Sequence, residues 1–354
     1  MIDWTKPMSQ SYAFYEISPI TWEDTELIDT VASGSITRDI TTDTLSSASF
    51  DVLNMSGEMY IRAYLICEQN GEVHKECLGT FLLQSPEKSF NGIKHTISVN
   101  AYSPLIELKE KYPTYCYTIP KGRDVVPLII ANVKENMRAT VIDSFRKQKI
   151  TDYDLMASVN DTWMDYMVSV LNQNKVSYRM DPYGKFELYE QKPIDAMTPV
   201  WTFDDSDKSI LFKDIRMSQD LYGVPNVVEV YISTAEGCSM TRVVNDDIDS
   251  PTSTINRGRE IVYRETSPDI VGVPTAEEIQ KYAERKLKSL STITVELSYS
   301  HAYCPVTIGD CVRINYVRAG ITDVKAMVTQ QTYRMDLNGC TVTEVAKFTS
   351  KLWR

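Results

Sequence analysis

The sequence predicts an α+β chain, mainly β, in which two β-rich regions flank a small α+β module. Three observations predict it. The first third is dominated by Thr, Ser, Ile, Val and Tyr, with turn signals at short intervals. From about Lys121 the hydrophobic period changes from that of a strand to that of a helix. The last third returns to strand-forming residues, interrupted by one strongly capped helix. At 354 residues the chain can bury a substantial core and divide into two or three domains.

In the first third, Gly34–Arg38 and Ala48–Val52 supply two strands. Met59, Ile61, Ala63 and Leu65 alternate with Tyr60, Arg62 and Tyr64, the period of a strand. Asn70-Gly71 follows and predicts a tight hairpin. Cys77–Leu83 is the returning strand. A turn at Asn91-Gly92 leads to another, in which His95 shares a face with Ile93, Ile97 and Val99 and reads as a half-buried strand histidine. Several strands joined by hairpins suggest a barrel or sandwich.

In the module, Asp124 caps a helix, with Pro127 in its first turn and Val126, Ile129, Ile130, Val133 and Met137 on one face. A second helix is expected from Thr151, with Leu155, Val159, Trp163, Met167 and Leu171 as a core stripe. Tyr178–Leu188 reads as strand, Asp-Pro-Tyr-Gly turn, strand.

The last third opens with a strand at Asn226–Ile232. Residues 236–272 are polar and carry Pro251, Gly258, Pro268 and Gly272, which predicts a long loop or extended hairpin of the kind that serves interfaces. After Pro274, Thr275 and Glu278 form a capping box for a helix over 275–290. Its stripe is Ile279, Ala283, Lys286 or Leu287, and Leu290. Glu277–Lys281 and Glu284–Lys288 are favourable pairs on its wet side. A Gly309-Asp310 turn then enters strands containing Ile314, Tyr316, Met327, Val328, Thr341 and Val342.

Lys plus Arg total 37 against 48 Asp plus Glu, a net charge of -11, which argues against nucleic acid as a specific partner. No apolar run reaches the roughly 20 residues of a membrane helix. Met1 to Ile20 has no basic start followed by an apolar stretch, so no signal peptide is expected. The seven cysteines are widely spaced without a Cys-x-x-Cys, and read as reduced, mostly buried small hydrophobes. Cys67 and Cys77 flank the hairpin, but a disulfide between them is not expected. His74, His95 and His301 lack metal-ligand spacing, and there is no Gly-x-Ser-x-Gly elbow. The clusters Asp204, Asp205, Asp207 and Asp246, Asp247, Asp249 lack the calcium-loop pattern and read as solvated turn acids. Isolated glycines offer no phosphate cradle. No catalytic residue, metal or cofactor is expected.

Three regions together resemble the baseplate hub proteins of phage tails and contractile injection systems, including the hub part of type VI secretion spike proteins. They are Ile36 to Leu105 with its Leu78-Gly79-Thr80-Phe81 strand start; Thr151 to Leu171 leading into Tyr178–Tyr189; and Thr275–Leu290 followed by Ile308-Gly309-Asp310 and the strands to Val345. The resemblance implies two tail-tube-like β-barrel domains, at 1–118 and 196–354, with the small module at 119–195 between them. It implies a non-enzymatic structural protein of the virion tail, assembled in the host bacterial cytoplasm. Three chains would form a homotrimeric ring joining the tail tube or distal tail protein to a spike or central fibre protein, contacting the tape-measure protein and letting DNA pass. No membrane partner is implied. Tyr282 and Lys286, beside the stripe of the capped helix, are the candidate interface residues. Two other readings are a carboxylate-dependent hydrolase of cell-wall glycan or peptide, and a carbohydrate-binding tail-tip protein using some of the 21 tyrosines and 5 tryptophans.

Overall fold

A computed structural model describes residues 2–28, 31–52, 57–90, 92, 95–234, 237–266, 268 and 275–353. The chain is mainly β and folds into two compact units. One comprises Met1–Ile215 with Tyr299–Val345, the other Arg216–Ser298 with Ala346–Arg354.

The first unit is built on a large, largely antiparallel sheet. Hydrogen-bonded neighbours along it are Ile321–Asp336, Val31–Asp39, Ser46–Val52, His95–Tyr102, Glu72–Phe90, Met59–Gln69, Ser9–Ile17 and Asp24–Leu27. Cys311–Tyr316 joins Ile321–Asp336 antiparallel and takes Trp201–Asp204 alongside it in parallel. Among the described residues this path stays open and closes no barrel.

Local chemistry sets the sheet. Asn70 and Gly71 both have positive φ, 54° and 81°, which gives a two-residue turn whose twist matches the strands on either side. The strand it follows, Met59–Gln69, is buried on both faces. Ile61, Ala63 and Leu65 point into a core with Phe14, Phe50 and Phe81. The same core takes in Tyr333 and Val342, because Ile321–Asp336 pairs with Val31–Asp39 and places Tyr333 opposite Ile36. Tyr60, on the other face, belongs to a second core with Trp22, Ile129, Met164 and Phe186. His95 opens its strand opposite Phe90, but its side chain and Asn91 lie outside the described residues.

The module supplies that second core. Asp124 caps the helix Val125–Asn136, accepting from the Val126 amide at 3.2 Å, and Val125, Val126, Ile129, Ile130 and Val133 are buried. The next helix differs from the sequence expectation. It spans Trp163–Gln173 and does not begin at Thr151. Leu155–Met156 instead pairs with Thr118–Ile119 as a short antiparallel ribbon, and Val159 is 78% exposed. The physical reason is the capping box at Thr162 and Asp165, each side chain bonding the other's backbone amide at 3.2 and 3.0 Å. Upstream of it, the Ala157 amide donates to the Tyr117 carbonyl, a ribbon bond that a helix would forbid. The recurrence of Leu155 and Val159 at four-residue spacing was therefore not a helical stripe.

In the second unit, Val227–Thr234 and Gly237–Val244 form a hairpin, with Val262–Glu265 parallel to the first of them. Helix Ala276–Leu290, held by the Thr275–Glu278 capping box, covers this sheet with Ile279, Ala283 and Leu287 packed on Val228, Val230 and Val243. Leu287 takes the stripe position left open between it and Lys286. Segment 236–272 is thus more regular than a loop. Besides its two strands it holds a short helix, Thr254–Arg257, while Gly272 and Pro274 lie outside the described residues. Two fully buried asparagines explain the order. Asn226 bonds the Arg259 carbonyl and the Ile261 amide, and Asn245 bonds the Ser250 hydroxyl and the Asp247 amide.

Thr162→Ala is expected to lower the unfolding free energy by about 1 kcal/mol. Val159→Ser is expected to stay within about 0.5 kcal/mol of the parent, where a core position would lose several times that. Urea unfolding of both variants checks the assignment.

Candidate functional site

The two residues singled out from the sequence lie on the capped helix of the second unit. Tyr282 is half-buried against the core under that helix. The Lys286 ammonium sits 2.9 Å from the Glu265 carboxylate and 5.2 Å from the centre of the Tyr263 ring. The Glu265 bond holds the lysine pKa above its ordinary value. On the wet side Lys281 reaches Glu277 at 2.6 Å. Glu284 accepts from Gln280, and Lys288 lies 5.5 Å from the Trp353 ring centre. The helix thus presents charge outward, with Tyr282 and Lys286 at the border between its buried and exposed faces.

Two buried polar clusters in the first unit were not foreseen from the sequence. One centres on Arg62, 5% exposed. Its guanidinium donates to the Asp24 carboxylate at 2.6 Å, the Thr80 hydroxyl at 2.9 Å, the Tyr183 carbonyl at 3.0 Å and the Trp22 carbonyl at 3.3 Å. Trp22 donates its indole N–H to the same Tyr183 carbonyl. The Asp181-Pro182-Tyr183-Gly184 turn of the module is thereby fastened to the sheet. Gly184 is required there twice over. Its φ is +73°, and a Cβ would come within 3.0 Å of both Thr80 and Trp22. Burial pushes the Asp181 carboxyl above its ordinary pKa, although the Lys185 amide bond opposes the shift.

The second cluster joins the last strands to the first. Glu344 accepts from the Tyr299 hydroxyl at 2.7 Å and the Gln331 amide at 2.5 Å. Tyr333 donates to Gln331 at 2.9 Å. Arg38 donates to the Tyr333 and Thr307 hydroxyls, both at 3.0 Å, and to the Leu78 carbonyl at 2.6 Å. The Gly309-Asp310 turn closes alongside, with the Asp310 carboxylate accepting from the Thr307 amide at 2.9 Å. A signal for both clusters was present in the sequence. Arg62 stands between Tyr60 and Tyr64 on one strand face, and Glu344 falls at the inward phase set by Val342 and Ala346.

The acidic clusters do not converge on a common point. Asp204 accepts from Ser206, Asp205 from Arg318, and Asp247 from the Asp249 amide. Among the described residues no group of His, Cys, Asp or Glu is arranged to hold a metal ion. The six cysteines whose side chains are described are free thiols, Cys67 and Cys77 among them. Burial pushes Cys67 up to about 11 and Cys77 and Cys340 up to about 12, whereas Cys116 is exposed. What the site geometry does chemically is join segments, through buried hydrogen-bonded charges, and present a charged helix face.

No protein-family model matches the chain, and no curated protein matches it in sequence. Solved structures do match in fold. A tail protein from Neisseria meningitidis MC58 superimposes with a TM-score of 0.63 at 11% identity, covering 97% of this chain and 98% of that one. The 43 kDa tail protein of prophage MuSo2 from Shewanella oneidensis superimposes with a TM-score of 0.61 at 12% identity, covering 96% and 97%. The chain shares the fold of these two tail proteins over nearly its whole length.

Among the six described thiols, Cys116 is expected to be alkylated first by iodoacetamide at mildly alkaline pH. Cys67, Cys77 and Cys340 should react only after unfolding, since so little of each is thiolate. Peptide mass mapping over time reads the order directly.

Proposed function

We propose that this chain is a structural component of a phage or phage-like tail, the hub at its distal end. The observation that carries the reading is the end-to-end fold likeness to two tail proteins. In this proposal the chain carries two tube-like β-domains, 1–118 and 196–354, separated by the module at 119–195. Three copies form a ring that joins the tail tube or distal tail protein to a spike or central fibre, contacts the tape-measure protein and leaves a passage for DNA. The ring is held by shape and symmetry rather than by bond chemistry. The exposed edges of Tyr282 and Lys286, bordering the charged face of their helix, contribute to contacts with neighbouring subunits. The net charge of -11 supports a conduit role, because an acidic protein does not retain a passing polyanion.

Light scattering on the chromatographed protein tests the assembly. A species of about three times the 40.3 kDa chain mass is expected. A monomer at every concentration, with no ring on addition of tube protein, would overturn the trimeric hub.

A further inference from the structure

The turn between strands Val31–Asp39 and Ser46–Val52 places Leu45 between two cavities of the first unit. The inner chamber, about 30 Å³, is lined by polar groups of Arg38, Ser46, Thr80, Ser103, Asp181 and Thr307. The outer one is an open groove of about 190 Å³, lined by Ile40, Asn172, Ser177, Arg179, Tyr189 and Gln191. Leu45 and Ile308 line both, so the two compartments meet across these side chains. A water needs roughly 10–15 Å³, so the chamber takes about two hydroxyl-sized groups and the groove about a dozen. A sugar ring with its substituents is of the second size.

The wall between them is held in place. Leu45 is buried, yet its φ is 60°, a conformation that bulky residues rarely adopt. Such strain persists where the surroundings impose it, and it gathers at ligand sites. Here the Leu45 amide donates to the Thr42 carbonyl at 3.1 Å, and the Leu45 carbonyl accepts from the Asp39 amide at 2.8 Å. The Tyr178 hydroxyl donates to the Asp43 carbonyl at 2.7 Å, and the Ser103 hydroxyl to the Thr44 carbonyl at 2.6 Å. The cleft is therefore preformed, as small-molecule sites usually are.

Its chemistry selects the ligand. Arg38 and Asp181 present opposite charges in one chamber, so an anion would meet the carboxylate and a cation the guanidinium. Arg38 has five N–H donors, of which three go to Thr307, Tyr333 and the Leu78 carbonyl, which leaves donors for a further acceptor. In the groove the Arg179 charge is offset by Glu187 at 2.6 Å. Asn172 and Gln191 are exposed amides, each both donor and acceptor. Gln191 spends an N–H on the Met327 sulfur, a weak acceptor that a hydroxyl can displace. Tyr189 adds a partly exposed ring. Charge-balanced walls, paired donors and acceptors and an aromatic surface match a neutral molecule with many hydroxyls and an apolar ring face.

We propose that this cleft binds a neutral saccharide, with a sugar ring in the groove beside Tyr189 and a hydroxyl-bearing arm directed over Leu45 to the Arg38 chamber. The inference is independent of the tail role, since it concerns the isolated chain and not what the chain assembles with.

Saturation-transfer NMR on the full chain tests it. The probes are glucose, galactose, N-acetylglucosamine and their β-linked disaccharides at millimolar concentration, with acetate and inorganic phosphate as ionic probes. Saturation is expected to pass to at least one sugar, and acetate and phosphate are expected not to displace it. Tyr189→Ala and Gln191→Ala should each weaken that sugar's binding roughly three- to tenfold. Glu284→Ala, on the helix of the second unit, should leave it unchanged. No transfer to any sugar, displacement by either anion, or binding unaltered in both groove variants would overturn the proposal. Should Tyr189→Ala fail to fold, the exposed positions decide through Gln191→Ala and Asn172→Ala.

Discussion

An arginine cannot shed its charge in a protein interior, so whatever surrounds a buried guanidinium must be in place whenever the chain is folded. Arg62 imposes that condition here. Its acceptors come from three separate segments: Trp22 and Asp24 near the N-terminus, Thr80 on the neighbouring strand, and Tyr183 on the module turn. Removing any one would leave a buried donor unsatisfied, at about 1–3 kcal/mol or more. The surrounding sequence serves the same end. Tyr64 donates to the second oxygen of Asp24, Lys75 stands 3.6 Å from that oxygen, and Gly184 has no Cβ to hold the turn away from Thr80.

The Glu344 cluster follows the same logic among the closing strands. It connects residues 299–345 to Arg38 on a strand of the first third, so one unit is made from chain segments that are distant in sequence. Buried hydrogen-bonded clusters of this kind tie distant segments into one packing. That property holds the shape of the first unit in a chain whose fold is shared with two solved tail proteins.

Local signals were legible where both halves of the signal lay within a few residues. Asn70-Gly71, the Asp124 cap, the Thr275–Glu278 box and the Tyr178–Leu188 hairpin all appear where their residue types require. The helix at Trp163 was misplaced because Leu155 and Val159 continued its spacing by coincidence, while the deciding Thr162–Asp165 reciprocity was overlooked. Order in the polar stretch after Gly237 depends on Asn226 and Asn245, whose partners reach up to 35 residues along the chain. The clusters were harder still. Arg62 meets Tyr183 across 121 residues and Arg38 meets Tyr333 across 295, and no periodicity encodes such meetings. Of the candidate site, Tyr282 and Lys286 could be placed on their helix from the stripe. That Lys286 would be held by Glu265 and Tyr263 depends on the strand Val262–Glu265 pairing parallel to Val227–Thr234, a pairing that neither a long loop nor an extended hairpin over 236–272 specifies.

The claim that Arg62 fastens the module turn to the sheet is tested most directly by native-state hydrogen exchange on Arg62→Met. The account predicts that the Gly184 and Lys185 amides, which bond within the turn to Asp181, exchange roughly tenfold faster or more than in the parent, while amides flanking the Asn70-Gly71 turn change far less. Equal protection of the turn in parent and variant, or a uniform loss across both regions, would contradict it.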